Sequence, residues 1–308
     1  MGKYSALIIG AGLIASDFDT PNNDAVLTHA HAYKNNPDTE LLGFYDIDFS
    51  RAQKAAEKWG VNAYKELTNA DIISICVPDE FHTKMVLEAK KLNPKIIFLE
   101  KPVCRDLSDT EILKNVDIPI LVNYSRSFSK SFQDLKKRIL SGEFGQYKSG
   151  VGYYGKGFIH NGSHMVNLLN LLFGDISDVE FKNEINDFYN DDHSKFATLN
   201  FKNGGYFIMN PVDCRDYTIF EFDFIFEKAR VRVLNSGYQI EIYKSAESKK
   251  FKGYQMLELS EKIDTDLDFA MKNAVQNIVD FLDGKETLLC DLQKGIVAIK
   301  FTQSNYTC

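Results

Sequence analysis

The chain has 308 residues, enough for two domains with cores of their own, and its 44% hydrophobic and 26% charged content is that of an ordinary globular protein. A net charge of −7 with no basic arm or stripe excludes a nucleic-acid footprint; the densest basic stretch, Lys136-Lys137-Arg138, reads as a solvated helix face. No apolar run approaches the ~18–20 residues of a membrane span. No secretory leader pattern is visible either. Five scattered cysteines (Cys76, Cys104, Cys214, Cys290, Cys308), with no C-x-x-C, predict free thiols in a reducing, cytoplasmic setting.

Tyr4–Ala15 reads YSALIIGAGLIA, an apolar run halted at Gly10-Ala11-Gly12. The pattern predicts a buried strand over Ala6–Ile9 running into the glycine-rich turn of a dinucleotide site. Gly10 permits the turn, Gly12 admits a pyrophosphate close to the backbone, and Leu13 and Ile14 open a helix whose N-terminus favours an anion. Ala15 is small enough for helix to pack on strand. A polar stretch with Pro21, Ser16–Asn23, interrupts that helix and predicts an inserted loop, with helix resuming near Asp24. The loop starts beside the pyrophosphate site; it either reaches the active site or makes a surface excursion.

Strands are expected at Leu41–Tyr45, Ile72–Val77, Ile96–Leu99 and Ile118–Val122, and helices at Ala25–Tyr33, Ser50–Lys58 and His82–Lys91. Strands alternating with helices call for a parallel sheet with right-handed crossovers. Asp46 follows the second strand, where a carboxylate accepts hydrogen bonds from the adenosine ribose and repels a 2′-phosphate, favouring NAD over NADP. Near Asn123 the pattern changes. An amphipathic helix, Phe132–Leu140, is followed by strand-rich sequence: Phe196–Phe201 and Tyr206–Met209 flank a Lys-Asn-Gly-Gly turn, and Ile219–Phe226, Val231–Leu234 and Gln239–Tyr243 follow. An apolar stripe through Leu267, Ala270, Met271, Ala274, Ile278, Phe281 and Leu282 predicts a late helix stopped at Gly284. The expected architecture is α/β: a Rossmann domain over residues 1–122, then an α/β domain over 123–308 with a large, mostly antiparallel open sheet.

Two further segments are distinctive: Val77-Pro78-Asp79-Glu80-Phe81-His82 with Phe98-Leu99-Glu100-Lys101-Pro102, and Gly157-Phe158-Ile159-His160-Asn161-Gly162-Ser163-His164. Together with the glycine turn they resemble the glucose-fructose oxidoreductase / inositol dehydrogenase (Gfo/Idh/MocA) family. The resemblance implies NAD-dependent hydride transfer to or from a secondary carbinol or keto carbon of a sugar. It implies Lys101 and His164 as the catalytic pair, and Pro102 at a position where the family often has a cis peptide. It also implies an open sheet that assembles homodimers or homotetramers. A histidine near neutral pKa suits the proton step, and a lysine at a strand's C-terminal end can hydrogen-bond the reacting oxygen.

On the cofactor side the candidate contacts are Gly10, Gly12, Leu13, Ile14, Asp46, Pro78, His82, Glu100 and Lys101, although a loop or helix-cap role is the stronger reading of His82. On the substrate side they are Arg126, Tyr154, Lys156, His160 and Asn161, with an aromatic sheet face as the plainer reading of Tyr154. His160 stands where many members carry Asp, so an acceptor for substrate hydroxyls is replaced by imidazole, which suits a substrate with an anionic or acceptor group. The His160–His164 spacing suggests a metal pair, but no glutamate lies between them and no third ligand can be named, so no metal is expected. The inserted loop and the Tyr-Tyr-Gly-Lys-Gly stretch resemble branches acting on nucleotide-linked sugars in surface-polysaccharide synthesis. A non-catalytic NAD(H) sensor and an imine or tetrapyrrole reductase are the alternatives.

Overall fold

The computed structural model describes residues 2–301. They form two compact units. The first runs up to Ser129 and takes up Asp268–Lys300; the second comprises Lys130–Leu267 with Phe301.

The first unit is built on six parallel strands, β1 (Tyr4–Ile9), β2 (Thr39–Tyr45), β3 (Asn62–Tyr64), β4 (Ile72–Ile75), β5 (Ile96–Leu99) and β6 (Ile120–Val122), in the order β3-β2-β1-β4-β5-β6. Every residue of β4 and β5 is buried, as expected of strands covered on both faces. Helices α1 (His29–Asn35), α2 (Phe49–Trp59), α3 (His82–Lys90) and α4 (Asp109–Lys114) fall between the strands. The strand order reverses between β1 and β4, which places a ligand crevice at their C-terminal ends, where Gly10 and Cys76 follow.

Helix does not resume near Asp24. After Gly12 comes one π-helical turn, Leu13–Asp17, and α1 starts at His29. The reason is Asp19, a buried carboxylate inside the inserted segment. It accepts from the Leu27 N–H (2.6 Å), the Thr28 hydroxyl (2.6 Å) and His31 Nδ1 (2.8 Å), while the Thr28 hydroxyl caps α1 through the His31 N–H. Ser16 is tied down as well: its carbonyl accepts from Lys58 and its hydroxyl from Trp59 Nε1.

The single domain crossing expected at residue 122/123 is replaced by a boundary after Ser129 and a return at Asp268. The late stripe explains the return. It forms α7 (Ala270–Leu282), whose Ala270, Met271, Ala274 and Ile278 are buried against α1 and the 3₁₀ turn Ser125–Phe128. Val26 N–H donates to the Asp268 carbonyl and Asn36 to Gln276, fixing that packing. A further helix without a sequence signal of its own, α8 (Leu292–Lys300), packs near β6; a Cβ on its Gly295 would stand 2.6 Å from Val103.

The second unit holds α5 (Lys130–Leu140), α6 (Ser163–Phe173) and an eight-stranded sheet: β7 (Tyr147–Tyr154), β8 (Ile176–Tyr189), β9 (Asp192–Phe201), β10 (Tyr206–Pro211), β11 (Glu221–Phe226), β12 (Ala229–Leu234), β13 (Gln239–Glu247) and β14 (Gln255–Asp264). The order is β14-β13-β12-β11-β7-β10-β9-β8, antiparallel except for the β7–β10 pair. The Lys-Asn-Gly-Gly turn joins β9 to β10 as expected. Phenylalanines of β10 and β11 (Phe207, Phe222, Phe224) and the apolar face of α6 make the core. Asp266 caps α5 from a distance of 135 residues or more along the chain, accepting from the N–H groups of Lys130 and Ser131.

Candidate active site

The glycine turn is shaped by its neighbours. Gly10 has φ +94°, and a Cβ there would stand 2.5 Å from the Cys76 carbonyl oxygen. A Cβ on Gly12 would meet the Arg51 guanidinium at 3.2 Å. Arg51, in the first turn of α2, thus sets a positive charge beside the turn; the sequence reading did not single it out. Asp46 is buried, and its two oxygens accept from the Ala11 N–H (2.8 Å) and the Asp48 N–H (2.9 Å). The carboxylate therefore holds the turn together. Its remaining lone pairs are what a ribose could use. Leu13 (60% exposed) and Ile47 (97%) stand out beside it in solvent.

The segments after β4 and β5 end on the same edge of the sheet. Pro78 is exposed at the start of the turn before α3. His82, carried as a cofactor contact, is 1% exposed, with Nδ1 2.7 Å from the Pro102 carbonyl and Nε2 3.0 Å from the Val77 carbonyl. It is spent on bracing the loops after β4 and β5. Burial lowers its pKa against the pull of those two carbonyls.

Glu100 is buried and anchored. Oε1 accepts from Asn123 Nδ2 (2.6 Å) and faces His29 Nε2 at 2.8 Å; Oε2 accepts from the Lys101 N–H (3.3 Å). Burial alone would raise this carboxyl, but His29, Asn123 and Lys101 outweigh it and hold it below the usual carboxylate value. The Lys101–Pro102 peptide is cis, and the Lys101 side chain is half-buried. His29 and Asn123 escaped the sequence reading because a buried imidazole in a helix and an Asn after a strand look like ordinary core and loop residues.

In the second unit the Gly155–His160 loop hangs on two buried carboxylates from β8 and β9. Asp187 accepts from the Lys156 N–H and from the Ser194 hydroxyl, which itself accepts from the Gly157 N–H. Asp192 accepts from the N–H groups of Phe158 (3.0 Å), Ile159 (2.9 Å) and His160 (2.9 Å) and binds His160 Nδ1 at 2.7 Å. Burial would raise Asp192, yet the His160 ring and these N–H groups bring it below its ordinary value. Gly157, at φ +83°, is required: a Cβ there would stand 2.0 Å from the Asp192 carboxylate. The carboxylate missing from position 160 is thus supplied to position 160 by β9, some thirty residues later. No local pattern announces it.

His160 stacks on Tyr189 (centroids 4.2 Å apart), and the Lys156 ammonium lies 5.1 Å from the Phe188 ring centre. Asn161 donates to the Gly155 carbonyl (2.8 Å), which closes the loop on itself. His164 is half-buried in the first turn of α6. Tyr154 is not a substrate contact. It is fully buried, its hydroxyl donates to the Lys195 carbonyl (2.6 Å) and accepts from the Lys195 N–H (2.8 Å), because β7 turns this position inward. Arg126, in the 3₁₀ turn after β6, is buried within the first unit.

Residues 5–116 match the family model described as an oxidoreductase family with an NAD-binding Rossmann fold. Scyllo-inositol 2-dehydrogenase (NAD(+)) of Bacillus subtilis is 31% identical over 121 residues, 36% of this chain and 35% of that protein. Inositol 2-dehydrogenase of Salmonella typhimurium is 28% identical over 153 residues, 45% of this chain and 42% of that protein. The matches therefore span well under half the length of these relatives. Among solved structures, UDP-N-acetylglucosamine 3-dehydrogenase GnnA from Acidithiobacillus ferrooxidans has a TM-score of 0.76 at 16% identity, covering 97% of this chain and 95% of that one. The WlbA dehydrogenase from Bordetella pertussis, solved with NADH and UDP-GlcNAcA, has a TM-score of 0.75 at 17% identity, covering 96% and 93%. These likenesses show the fold over nearly the whole chain, and residues 5–116 match the model of the Gfo/Idh/MocA oxidoreductases with an NAD-binding Rossmann fold.

Proposed function

We propose that this protein is an NAD(H)-dependent dehydrogenase or reductase acting on a secondary carbinol or keto carbon of a sugar or nucleotide-sugar. The observation that carries the reading is Lys101, set directly after the buried, ionised Glu100 on the sheet edge that also bears the glycine turn. The turn fits a dinucleotide: Gly10 lets the chain pass tightly by the Cys76 carbonyl and Gly12 leaves the Arg51 guanidinium beside the turn, Arg51 offsets phosphate charge, and the first N–H groups of a helical turn have no acceptor within that turn. When bound, nicotinamide supplies the hydride acceptor or donor. Asp46 disfavours a 2′-phosphate and so selects NAD over NADP.

Lys101, as an ammonium, donates a hydrogen bond to the reacting oxygen and stabilises negative charge as it develops there. His164 is the proposed proton carrier. Asp192 fixes His160 with its Nδ1–H donating, and Lys156 beside Phe188 offers a cation near an aromatic face; a substrate bearing an anionic group suits both. Two relatives act, by name, on inositols, and a structural neighbour was solved with UDP-GlcNAcA, which supports a polyol or nucleotide-sugar here; surface-polysaccharide synthesis is the context we propose from the inserted loop and the Tyr-Tyr-Gly-Lys-Gly stretch alone. Cys76, Cys104 and Cys214 are buried free thiols, which accords with a reducing, cytoplasmic setting. Among the described residues no helix is long and apolar enough to cross a membrane. The open sheet is the proposed assembly surface for a second copy.

Two assays test the reading. NADH fluorescence titration should show tighter binding than NADPH; equal affinity removes the role given to Asp46. In a screen of free polyols and UDP-sugars for NAD reduction, Lys101→Ala should lose turnover by about 10²–10⁴-fold with NADH affinity kept. A fully active Lys101→Ala enzyme refutes the assignment.

A further inference from the structure

The glycine turn is followed by a single helical turn of five residues, Leu13–Asp17, before the chain leaves it at Phe18. Within it the Ser16 N–H donates to the Gly12 carbonyl (2.9 Å) and the Phe18 N–H to the Leu13 carbonyl (3.0 Å), the wider spacing of a π turn. One turn fixes several backbone dihedrals for very few hydrogen bonds, so by itself it is unstable. The carbonyls that end such a turn also find no donor within it. Its order has to come from outside.

The segment from the end of β2 through α2 supplies it. Asp46, following β2, accepts from the Ala11 N–H at the start of the turn (2.8 Å), and Arg51 stands beside Gly12. At the far end Lys58 Nζ donates to the Ser16 carbonyl (2.7 Å) and lies 3.6 Å from the Asp17 carboxylate. Trp59 Nε1 donates to the Ser16 hydroxyl (3.1 Å). Ser16 has no exposure and Trp59 only 2%. Arg51 and Lys58 are two helical turns apart in sequence, so they share one face of α2 at about 10 Å from each other. The helix is firmly closed at both ends: the Asp48 carboxylate caps it through the Ser50 N–H (3.0 Å), and Gly60, at φ +62°, ends it. Trp59 also steadies the inserted segment, since its ring packs on His31 (centroids 5.4 Å apart), the partner of Asp19.

We propose that Lys58 and Trp59 are positioning residues for the dinucleotide: holding Ser16 from the last turn of α2, they fix the backbone from Gly12 to Ser16 before a pyrophosphate arrives, a task that a longer first helix would perform for itself. Neither is assigned a contact with the cofactor; what they supply is order already present in the free protein, which binding then does not have to impose. The role rests on the reading of the glycine turn as the NAD site and is independent of the substrate and of Lys101.

The test reads the turn and the cofactor separately, in the whole protein. Amide hydrogen exchange without cofactor follows the turn, and calorimetric titration with NADH follows binding. Lys58→Met keeps the aliphatic stem and removes the donor. It should speed exchange at the Ser16 and Phe18 amides and weaken NADH binding, each by about tenfold, the order of one charge-assisted hydrogen bond, with exchange in β1 and α2 unchanged. Lys58→Arg, which can still donate to the Ser16 carbonyl, should stay near wild type in both readings. Trp59→Phe removes a donor to the same residue without changing the charge and should move both readings in the same direction; wild-type values there overturn the joint role. Unmoved exchange in Lys58→Met overturns the proposal and assigns any lost NADH affinity to the missing charge. Faster exchange with full NADH affinity overturns it as well. If Trp59→Phe does not fold, the two Lys58 variants decide. A wild-type protein that binds neither NADH nor NADPH ends the dinucleotide reading and this role with it, whereas wild-type binding that Lys58→Met retains in full ends this role alone.

Discussion

Gly157 and Asp192 show how single residues set this site. The loop that presents His160 needs a left-handed glycine at its start and a carboxylate at its centre, and each makes the other necessary. Gly157→Ala should destabilise the protein by about 1–3 kcal/mol in urea unfolding, from backbone strain and from displacing Asp192. Asp192→Asn should cost about 1–3 kcal/mol at neutral pH, since the ring and backbone N–H groups it serves lose an anionic acceptor. Its pH dependence follows from the direction of its shift. The folded carboxyl lies below its ordinary value of 3.8. Its stabilisation is present above that value and drains away as pH falls through the folded pKa. The gap between wild type and Asp192→Asn should therefore narrow below pH 3.8; a gap that is constant with pH would assign the cost to shape alone.

At the scale of elements, α7 carries the clearest lesson. Its stripe of Ala270, Met271, Ala274 and Ile278 is written in the sequence, yet the sheet that precedes it in the chain is not where it packs. Truncating the fully buried Ile278 to Ala should cost about 2–5 kcal/mol. The loss should appear in the unfolding of the first unit, with the amide exchange of β1 and β4 accelerated; an effect confined to the antiparallel sheet would contradict the packing. The inserted segment after the glycine turn is likewise an element with an anchor, Asp19, and not a loose excursion. Its polar composition suggested a loop correctly, but a carboxylate whose three partners lie eight to twelve residues downstream has no pattern that marks it as buried.

For the whole molecule, the chain leaves the first unit after Ser129 and returns at Asp268, so the second unit is an insertion within the first rather than a tail on it. The edge strand β14 is exposed along most of its length, with Met256 at 52%, Leu257 at 46% and Leu259 at 53%, and Tyr254 at 68% just before it. An exposed apolar edge of this kind is a pairing surface unless something covers it. Light scattering should give a mass at least twice the 35.1 kDa of the chain, and Leu257→Lys/Leu259→Lys should return it to a monomer. A monomeric unaltered protein would remove the proposed assembly surface.

The sequence by itself determined the parallel sheet, the glycine turn, the Glu100-Lys101 step and the strand-rich second half. Each of these is a local matter of periodicity, turn chemistry or adjacent residues. Where it erred or was silent, the deciding partner lay far along the chain. Tyr154 is core and His82 a brace because of backbone atoms some twenty to forty residues away, and His160 has its carboxylate from β9. His29, read only as part of a helix, becomes a partner of Glu100 because α1 lies against β5, its imidazole 4.4 Å from the Phe98 ring, and so brings positions 71 residues apart to 2.8 Å. A buried polar group is defined by what satisfies it, and that partner exists only once the chain has folded.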